Sequence, residues 1–186
     1  MKIIFAQGNP GANYAASRHN TGFMALDAIA KDWGAQFQLK PKFQADIAET
    51  TRNDEKILLI KPRTFYNDTG RSARALIDFY KLDPAQNLLV IHDELALPFG
   101  TIRTRRSGSD AGNNGIKSLT QHIGPDYARI RIGIYSPLRD TLDDADFVLA
   151  AFNQEEKQAL TSIFTHVQHF VDAFVSNTFE STKISF

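Results

Sequence analysis

The chain has 186 residues, of which 42% are hydrophobic and 23% are charged, a composition typical of a soluble globular protein with one sizeable core. It contains no cysteine, which excludes a disulfide scaffold, a thiol nucleophile and a cysteine-ligated metal site. The formal net charge is zero. The sequence has no signal-peptide pattern and no apolar run near the ~20 residues of a membrane span, so we expect a cytoplasmic protein without a membrane partner.

The first half of the chain alternates strand patterns with helical patterns. The predicted strands are residues 3–7, 43–51 and 56–61, and the predicted helices are residues 21–33 and 70–80. The turn at 53–54 is Asn-Asp, which favours an antiparallel pair between the second and third strands. Asp68 or Thr69 is a candidate N-cap for the helix at 70–80.

The second half continues the same alternation. Its predicted strands are residues 88–92, 101–106 and 128–134, its first helix is 114–123, and residues 107–112 form a flexible loop. The strand at 88–92 is apolar and ends in Asp93 and Glu94. Arg129 and Arg131 alternate with apolar residues, which places both on one face of the strand at 128–134.

The last helix has the clearest pattern in the sequence. Asn153 and Glu156 form a capping-box-like start, and apolar residues then recur at helical spacing up to Val175. His166 and His169 lie three residues apart on this helix. Two such ligands without a third make a weak metal site, and a solvated or half-buried helix face is the favoured interpretation.

Strands and helices alternate without an internal repeat or a low-complexity tract. We therefore predict that residues 1–186 form a single α/β domain: a twisted mixed β-sheet flanked by helices, with a long C-terminal helix. We expect a monomer.

Charge is unevenly distributed along the neutral chain. Residues 95–139 contain seven basic and two acidic residues, whereas residues 140–160 contain six acidic residues and one lysine. The basic segment indicates an anionic partner such as nucleic acid. The alternative is that the two segments neutralise each other in the fold.

Unusual polar residues follow several predicted strands. In an open α/β sheet, sites gather beyond the carboxyl ends of the strands. A histidine there with an aspartate can act as a general base and its orienting group. Asparagine amides are neutral and offer both a donor and an acceptor, so they can hold an amide or stabilise an oxyanion. The residues concerned are Asn9, Tyr14, His19, Tyr66, Asn67, Asp93, Glu94, Asn113 and Asn114.

Each of these residues also has a simpler explanation. A lone loop histidine is more often structural, an aspartate at a strand end is usually a turn or cap residue, and Asn beside Gly is ordinary turn chemistry. The chain lacks a G-x-S-x-G elbow, a P-loop, an H-E-x-x-H motif and a G-x-G-x-x-G motif. A His-Asp pair without a nucleophile elbow indicates direct attack by an activated water.

Five motifs then occur in a fixed order and together resemble those of bacterial-type peptidyl-tRNA hydrolase. The resemblance extends from residue 2 to about residue 178. It implies an enzyme that cleaves the ester between a peptide and the 3′ end of tRNA without metal or cofactor, and so recycles stalled tRNA. The motifs are GNPG-x-x-Y-x-x-x-RHN, P-x-TF-x-N-x-(S/T)G, HDEL-x-LP-x-G, G-x-NG-(I/L)K-S-(L/I) and R-(I/L)-RIGI.

The resemblance also implies roles for individual residues. His19 is the expected catalytic base, Asp93 its orienting group, and Asn9 the residue that distinguishes blocked from free aminoacyl-tRNA. Tyr14 is expected at the tRNA end of the site, and Arg131 matches a position that contacts tRNA. Asn67 and Asn114 are expected to line the peptide-binding cleft.

Phosphate contacts with the tRNA acceptor stem are further expected from Arg103, Arg105, Arg106 and Lys117, because they flank the flexible loop and the following helix.

Three positions depart from the family pattern. Tyr66 stands where methionine is common, which predicts a bulkier and more polar cleft wall. Asn113 replaces a usual histidine, and Ala96 a frequent acid. Because His19, Asp93 and the cleft asparagines are present, we expect an active enzyme. The alternatives are a non-catalytic RNA-binding module on the same fold and an α/β hydrolase acting on a small ester.

Overall fold

The computed structural model describes residues 1–186, and a single eight-stranded sheet runs through the chain. The strands are β1 (Lys2–Ala6), β2 (Gln38–Lys40), β3 (Ala45–Arg52), β4 (Glu55–Pro62), β5 (Leu88–Pro98), β6 (Thr101–Arg105), β7 (Ala128–Tyr135) and β8 (Lys183–Ser185). The helices are α1 (Thr21–Asp32), α2 (Thr69–Tyr80), α3 (Pro84–Asn87), α4 (Asn114–Ile123), α5 (Asp144–Leu149) and α6 (Gln154–Val175). None of these helices is long and apolar enough to cross a lipid bilayer.

The strand order is β2-β3-β4-β1-β5-β7-β6-β8, with a parallel centre and antiparallel flanks. Strands β4, β1, β5 and β7 are parallel, so their carboxyl ends meet at one edge. The turn at 53–54 joins β3 and β4 as an antiparallel hairpin, as its residues predicted. The mixed α/β fold expected from the sequence is therefore confirmed.

Helices cover both faces of the sheet and create a crevice at its centre. On β1, Ile4 packs with α1 and α6 on one face, whereas Phe5 packs with α2 and α4 on the other. The chain leaves the neighbouring strands β1 and β4 toward opposite faces, through α1 and α2 respectively. The crevice opens where such connections diverge, beyond the carboxyl ends of β1 and β4.

Helix α6 begins with the predicted capping box. The Asn153 side chain accepts from the Glu156 backbone N–H, and the Glu156 side chain accepts from the Asn153 N–H. At α2, Asp68 occupies the N-cap position but makes no capping hydrogen bond, and its carboxylate pairs with Arg71. The apolar stripe of α6 is buried in the core, which accounts for its strong sequence pattern.

Strand β5 is longer than the predicted 88–92. Its pairing with β7 shifts register between Glu94 and Pro98, and this irregularity carries the strand past the end of its apolar run. Gly133 of β7 lies beneath the shifted segment, where a β-carbon would lie 2.1 Å from the Pro98 carbonyl oxygen. The short elements β2, β8, α3 and α5 were not predicted, since each has too few residues to show a periodic pattern.

Candidate active site

An open cleft of about 660 Å³ lies beyond the carboxyl ends of the parallel strands. The loop after β1 contributes Asn9 and His19, the segment after β4 contributes Tyr66 and Asn67, and β5 contributes Asp93. Residues 111–114 and α5 close the other side. The structure thus brings together residues that are distant in sequence.

His19 and Asp93 form a hydrogen-bonded pair in this cleft. The His19 Nδ1 lies 2.8 Å from the Asp93 Oδ2. The His19 side chain is 17% exposed, whereas that of Asp93 is 2% exposed. Because a carboxylate oxygen accepts, the neutral imidazole carries its proton on Nδ1, which leaves the Nε2 lone pair available as a base.

Asp93 is held ionised by its neighbours. Burial alone raises the pKa of this carboxyl group, but His19 and the Tyr66 hydroxyl stabilise the charged form, and the resulting pKa is below the usual value. The Tyr66 hydroxyl donates a short hydrogen bond to Asp93 Oδ1. Burial, together with the Asp93 charge, raises the pKa of Tyr66 well above its usual value, so the phenol stays protonated and can donate.

Tyr66 was expected to form a cleft wall, but the structure covers it almost completely. Its side chain is 2% exposed, and its ring stacks on the His19 ring with centroids 3.5 Å apart and planes inclined by 14°. Its hydroxyl is directed at Asp93 and not into the open cleft. A direct role of Tyr66 in binding substrate remains a prediction.

Asn9 has a fixed amide orientation. Its Oδ1 accepts from the Tyr66 backbone N–H at 2.8 Å. The Asn9 backbone is held by Asn20, which accepts from the Asn9 N–H at 2.8 Å and donates to the Asn9 carbonyl at 2.9 Å. Because the oxygen of the Asn9 side-chain amide is engaged, the group left for a ligand is the Nδ2 donor.

The outer part of the cleft is amphipathic. Asn67 and Asn114 are exposed and line this cleft, and their expected contact with the peptide remains a prediction. Apolar side chains lie among them, with Phe65 63% exposed and Leu149 46% exposed. Tyr14 is half-buried on the loop after β1 and is not among the lining residues, so its expected contact with tRNA remains a prediction.

The basic segment forms rows of like charge across the sheet. Arg103 of β6 lies opposite Arg131 of β7 and also opposite Lys183 of β8, and Arg105 lies opposite Arg129. Like charges placed directly opposite each other destabilise a strand pair. Burial lowers the pKa of Arg105, and the nearby Arg103 and Arg131 lower it further.

The acidic segment does not neutralise these rows. Its only ion pair with the basic segment joins Asp144 to Arg139, at 2.9 Å. The Arg131 guanidinium instead binds Glu94 at 2.7 Å, while Lys117 is exposed in the first turn of α4. The alternative in which the two segments compensate each other is therefore wrong for most of the basic residues.

One buried ion pair at this site was not predicted. Arg18 directly precedes His19, and its guanidinium binds both carboxylate oxygens of Glu156, at 2.9 and 2.7 Å. Phe147 and Phe152 flank the guanidinium. The sequence identified Glu156 only as a helix cap, and no local pattern could reveal a partner 138 residues away.

Comparisons with known proteins agree with the motif pattern. The sequence model of the peptidyl-tRNA hydrolase family matches residues 3–186. A peptidyl-tRNA hydrolase of Fusobacterium nucleatum is 41% identical and covers 95% of this chain and 90% of its own. One of Desulfitobacterium hafniense is 45% identical over 88% of this chain and 86% of its own.

A solved structure also agrees with this family assignment. The crystal structure of peptidyl-tRNA hydrolase from Acinetobacter baumannii has a TM-score of 0.86 with this chain at 30% identity, covering 95% of this chain and 89% of the other. These matches confirm the family and the enzyme class predicted from the ordered motifs. The chain belongs to the peptidyl-tRNA hydrolase family.

Proposed function

We propose that this protein hydrolyses the ester bond between a peptide, or an N-blocked amino acid, and the 3′ end of tRNA, and so releases tRNA for reuse in translation. The observation that carries the proposal is the His19–Asp93 pair, which lines the cleft and leaves the His19 Nε2 without a hydrogen-bond partner. We place this activity in the cytoplasm, in the rescue of tRNA from stalled translation, and assign it to a monomer.

The reaction follows from the geometry of the pair. His19 Nε2 removes a proton from a water molecule, whose oxygen attacks the ester carbonyl carbon. Asp93 stabilises the imidazolium that forms. As the tetrahedral intermediate collapses, the imidazolium returns its proton to the leaving ribose oxygen. The products are a free carboxyl group and a tRNA with an intact 3′ end, and no metal or cofactor takes part.

Asn9 supplies the selectivity for blocked substrates. Its Nδ2 donor suits the carbonyl oxygen of an acylated substrate, and it offers nothing to an ammonium group, which also needs an acceptor. Asn67 and Asn114 bind the peptide backbone farther along the cleft. The exposed Phe65 and Leu149 provide an apolar surface for side chains, which suits a substrate of varied sequence.

The tRNA acceptor stem lies over the rows of basic residues. Arg103 and Arg105 lie opposite other arginines, a placement that a nearby anion stabilises, and tRNA phosphates supply that anion. Lys117 extends the surface toward the cleft. Arg131 contributes less to tRNA binding than its place in the family motif implies, because Glu94 already binds its guanidinium. These contacts position tRNA and leave its sequence unread.

The test is release of the N-acetylated amino acid from aminoacyl-tRNA by purified protein, with and without a chelator. We expect release in both conditions. Binding of tRNA without release would instead support a non-catalytic RNA-binding module. Rapid cleavage of small esters, unaffected by competing tRNA, would support a small-ester hydrolase.

A further inference from the structure

Tyr66 and Asn113 are two of the positions where this chain departs from the family pattern, and the structure joins them. Asn113 Nδ2 donates to the Tyr66 hydroxyl at 3.0 Å. The same nitrogen lies 3.3 Å from the Asp93 carbonyl oxygen. The two residues are 47 positions apart and come from different cleft segments. Their contact lies directly behind the His19–Asp93 pair.

The direction of each hydrogen bond in this series is fixed. Asn113 is the N-cap of α4, and its Oδ1 accepts from the Ile116 backbone N–H at 3.1 Å. Its Nδ2 is therefore the group that faces Tyr66, and it can only donate. Because the Tyr66 hydroxyl accepts from Asn113, its own proton is directed to Asp93 Oδ1.

The Tyr66 ring is held as firmly as its hydroxyl. Gly115 lies against the ring, so close that a β-carbon there would come within 2.4 Å of a ring carbon. The Tyr66 backbone N–H donates to Asn9 at 2.8 Å. The ring then stacks on the His19 imidazole. The start of α4 is thus linked to the imidazole through Asn113, Tyr66 and Asp93.

We propose that Tyr66 and Asn113 are positioning residues: Asn113 orients the Tyr66 hydroxyl, and Tyr66 fixes both the Asp93 carboxylate and the plane of the His19 ring. This inference rests on the proposed function of the His19–Asp93 pair. It gives Tyr66 a role distinct from substrate contact.

Two measurable consequences follow for Tyr66. The hydroxyl takes up part of the carboxylate charge, so its removal leaves Asp93 a stronger partner for a protonated imidazole. The ring of His19 would then take up its proton at a higher pH. Removal of the hydroxyl also frees the carboxylate to rotate, which slows the chemical step without weakening binding of the substrate.

The other ionisable groups near the pair are the same in every variant, so they cannot produce these differences. The Glu94 carboxylate is paired with Arg131, and Arg139 is paired with Asp144 across the cleft. His92 is buried behind Asp93, and its pKa is lowered to about 4 chiefly by burial, so it is neutral in the range of the assay.

The experiment compares Tyr66→Phe, Asn113→Ser and the double variant with wild type. Tyr66→Phe removes the hydroxyl and keeps the ring. Asn113→Ser keeps an oxygen for the helix cap and removes the donor. Tyr127→Phe is the matched control, because Tyr127 is a buried tyrosine with hydrogen bonds of its own that lies outside the cleft. Melting curves show whether a loss of activity in any variant is caused by a loss of folding stability.

The first readout is the pH profile of kcat and KM on N-acetylated aminoacyl-tRNA. For Tyr66→Phe we expect kcat to fall roughly 10–100-fold with KM nearly unchanged. We expect the acidic limb of kcat/KM to move up by at most about one pH unit. We expect Asn113→Ser to move the acidic limb of kcat/KM in the same direction, but by a smaller amount. The double variant should then resemble Tyr66→Phe alone, because Asn113 acts through the Tyr66 hydroxyl.

The second readout is the NMR titration of the His19 ring without substrate, which does not depend on activity. A higher titration midpoint in Tyr66→Phe, with no change in Tyr127→Phe, supports the inference. If wild type is active and Tyr66→Phe matches it in both readouts, the inference fails and the proposed function stands. If wild type releases no amino acid, the proposed function fails, and the ring titration alone decides whether Tyr66 positions the pair.

Discussion

Asp93 divides its two carboxylate oxygens between His19 and Tyr66, and this sharing defines the site at the scale of single residues. Both bonds come from donors, so the carboxylate is satisfied only in its charged form. Asn9 is fixed in the same way by the Tyr66 backbone. The chemistry of the site therefore depends on the orientation of a few buried groups.

Asn9→Asp should damage selection of the blocked substrate. The new carboxylate can still accept from the Tyr66 N–H, but it loses the Nδ2 donor and gains a negative charge that attracts an ammonium group. We expect a lower ratio of kcat/KM for N-acetylated over free aminoacyl-tRNA. Asn67→Asp, farther along the cleft, is the control. An unchanged ratio in Asn9→Asp would remove Asn9 from this role.

His92 should make the folded protein sensitive to mild acid. Burial lowers its pKa to about 4 against the opposing effect of Glu94 and Asp93, and its Nε2 has no partner. An unfolded histidine titrates near ~6.5, so between about pH 6.5 and 4 the unfolded chain binds a proton that the folded chain does not. The free energy of unfolding therefore falls as the pH is lowered through this window, by up to about 1.4 kcal/mol per pH unit.

Urea unfolding at pH 7 and pH 5 measures this effect. In His92→Gln, which cannot titrate, the difference between the two pH values should be smaller than in wild type. The exposed His169→Gln should behave like wild type. Equal pH dependence in wild type and His92→Gln would contradict the assignment.

At the scale of elements, the loop after β1 is tied to α6 by the Arg18–Glu156 pair. This pair holds the residue before His19 against the C-terminal helix, whose capping box uses the same glutamate. The position of His19, the proposed catalytic base, thus depends on a helix that contributes no residue to the cleft.

Glu156→Ala should lower the free energy of unfolding by about 3–5 kcal/mol, because it leaves a buried guanidinium without its counter-charge. Glu155→Ala is the matched control, since Glu155 lies in the same helical turn and is exposed. The two variants are compared by urea unfolding. A similarly small decrease in the free energy of unfolding in both variants would mean that the Arg18–Glu156 pair contributes little to stability.

The long helices and strands were predictable from the sequence because each has enough residues to show its periodic pattern of apolar residues. Helix α4 begins and ends at the predicted residues, and α6 shows both its capping box and its apolar stripe. Strand β8 has only three residues and forms through backbone pairing with β6, which no local pattern reports. The extension of β5 depends on a register shift over Gly133, a tertiary contact.

The site was predictable to the same extent. The convergence of strand exits placed His19, Asp93 and the cleft asparagines together. The hydrogen bond between Asn113 and Tyr66 and the ion pair between Arg18 and Glu156 were not foreseen, because they join distant segments. Sequence alone therefore indicated the residues that we propose take part in the reaction, but not the residues that hold them in place.

At the scale of the whole molecule, a neutral chain presents one strongly basic region. The basic rows of β6 and β7 lie beside the strand that carries Asp93, and the acidic segment compensates only Arg139 among the residues of the basic segment. An elongated anion bound over these rows would reach the cleft. The fold thus separates the basic rows, which we propose bind tRNA, from the cleft that holds His19 and Asp93.

Arg105→Ala and Lys117→Ala should raise KM with kcat nearly intact, because a phosphate contact is the same in the ground and transition states. For each side chain that does bind a phosphate, its removal should flatten the log–log salt dependence of tRNA binding by about 0.9. Lys157→Ala, the one lysine of the acidic segment, is the control. If the variants have lower melting temperatures but the same salt dependence of tRNA binding as wild type, Arg105 and Lys117 stabilise the fold and do not bind phosphate.

The proposed mechanism requires that His19, oriented by Asp93, activates the water that cleaves the ester. The decisive experiment is the single-turnover rate of His19→Ala on N-acetylated aminoacyl-tRNA at saturating enzyme, with the melting temperature measured in parallel. We expect a rate lower by ~10²–10⁴ in a folded protein that still binds tRNA. A rate close to that of wild type would show that His19 is not the base.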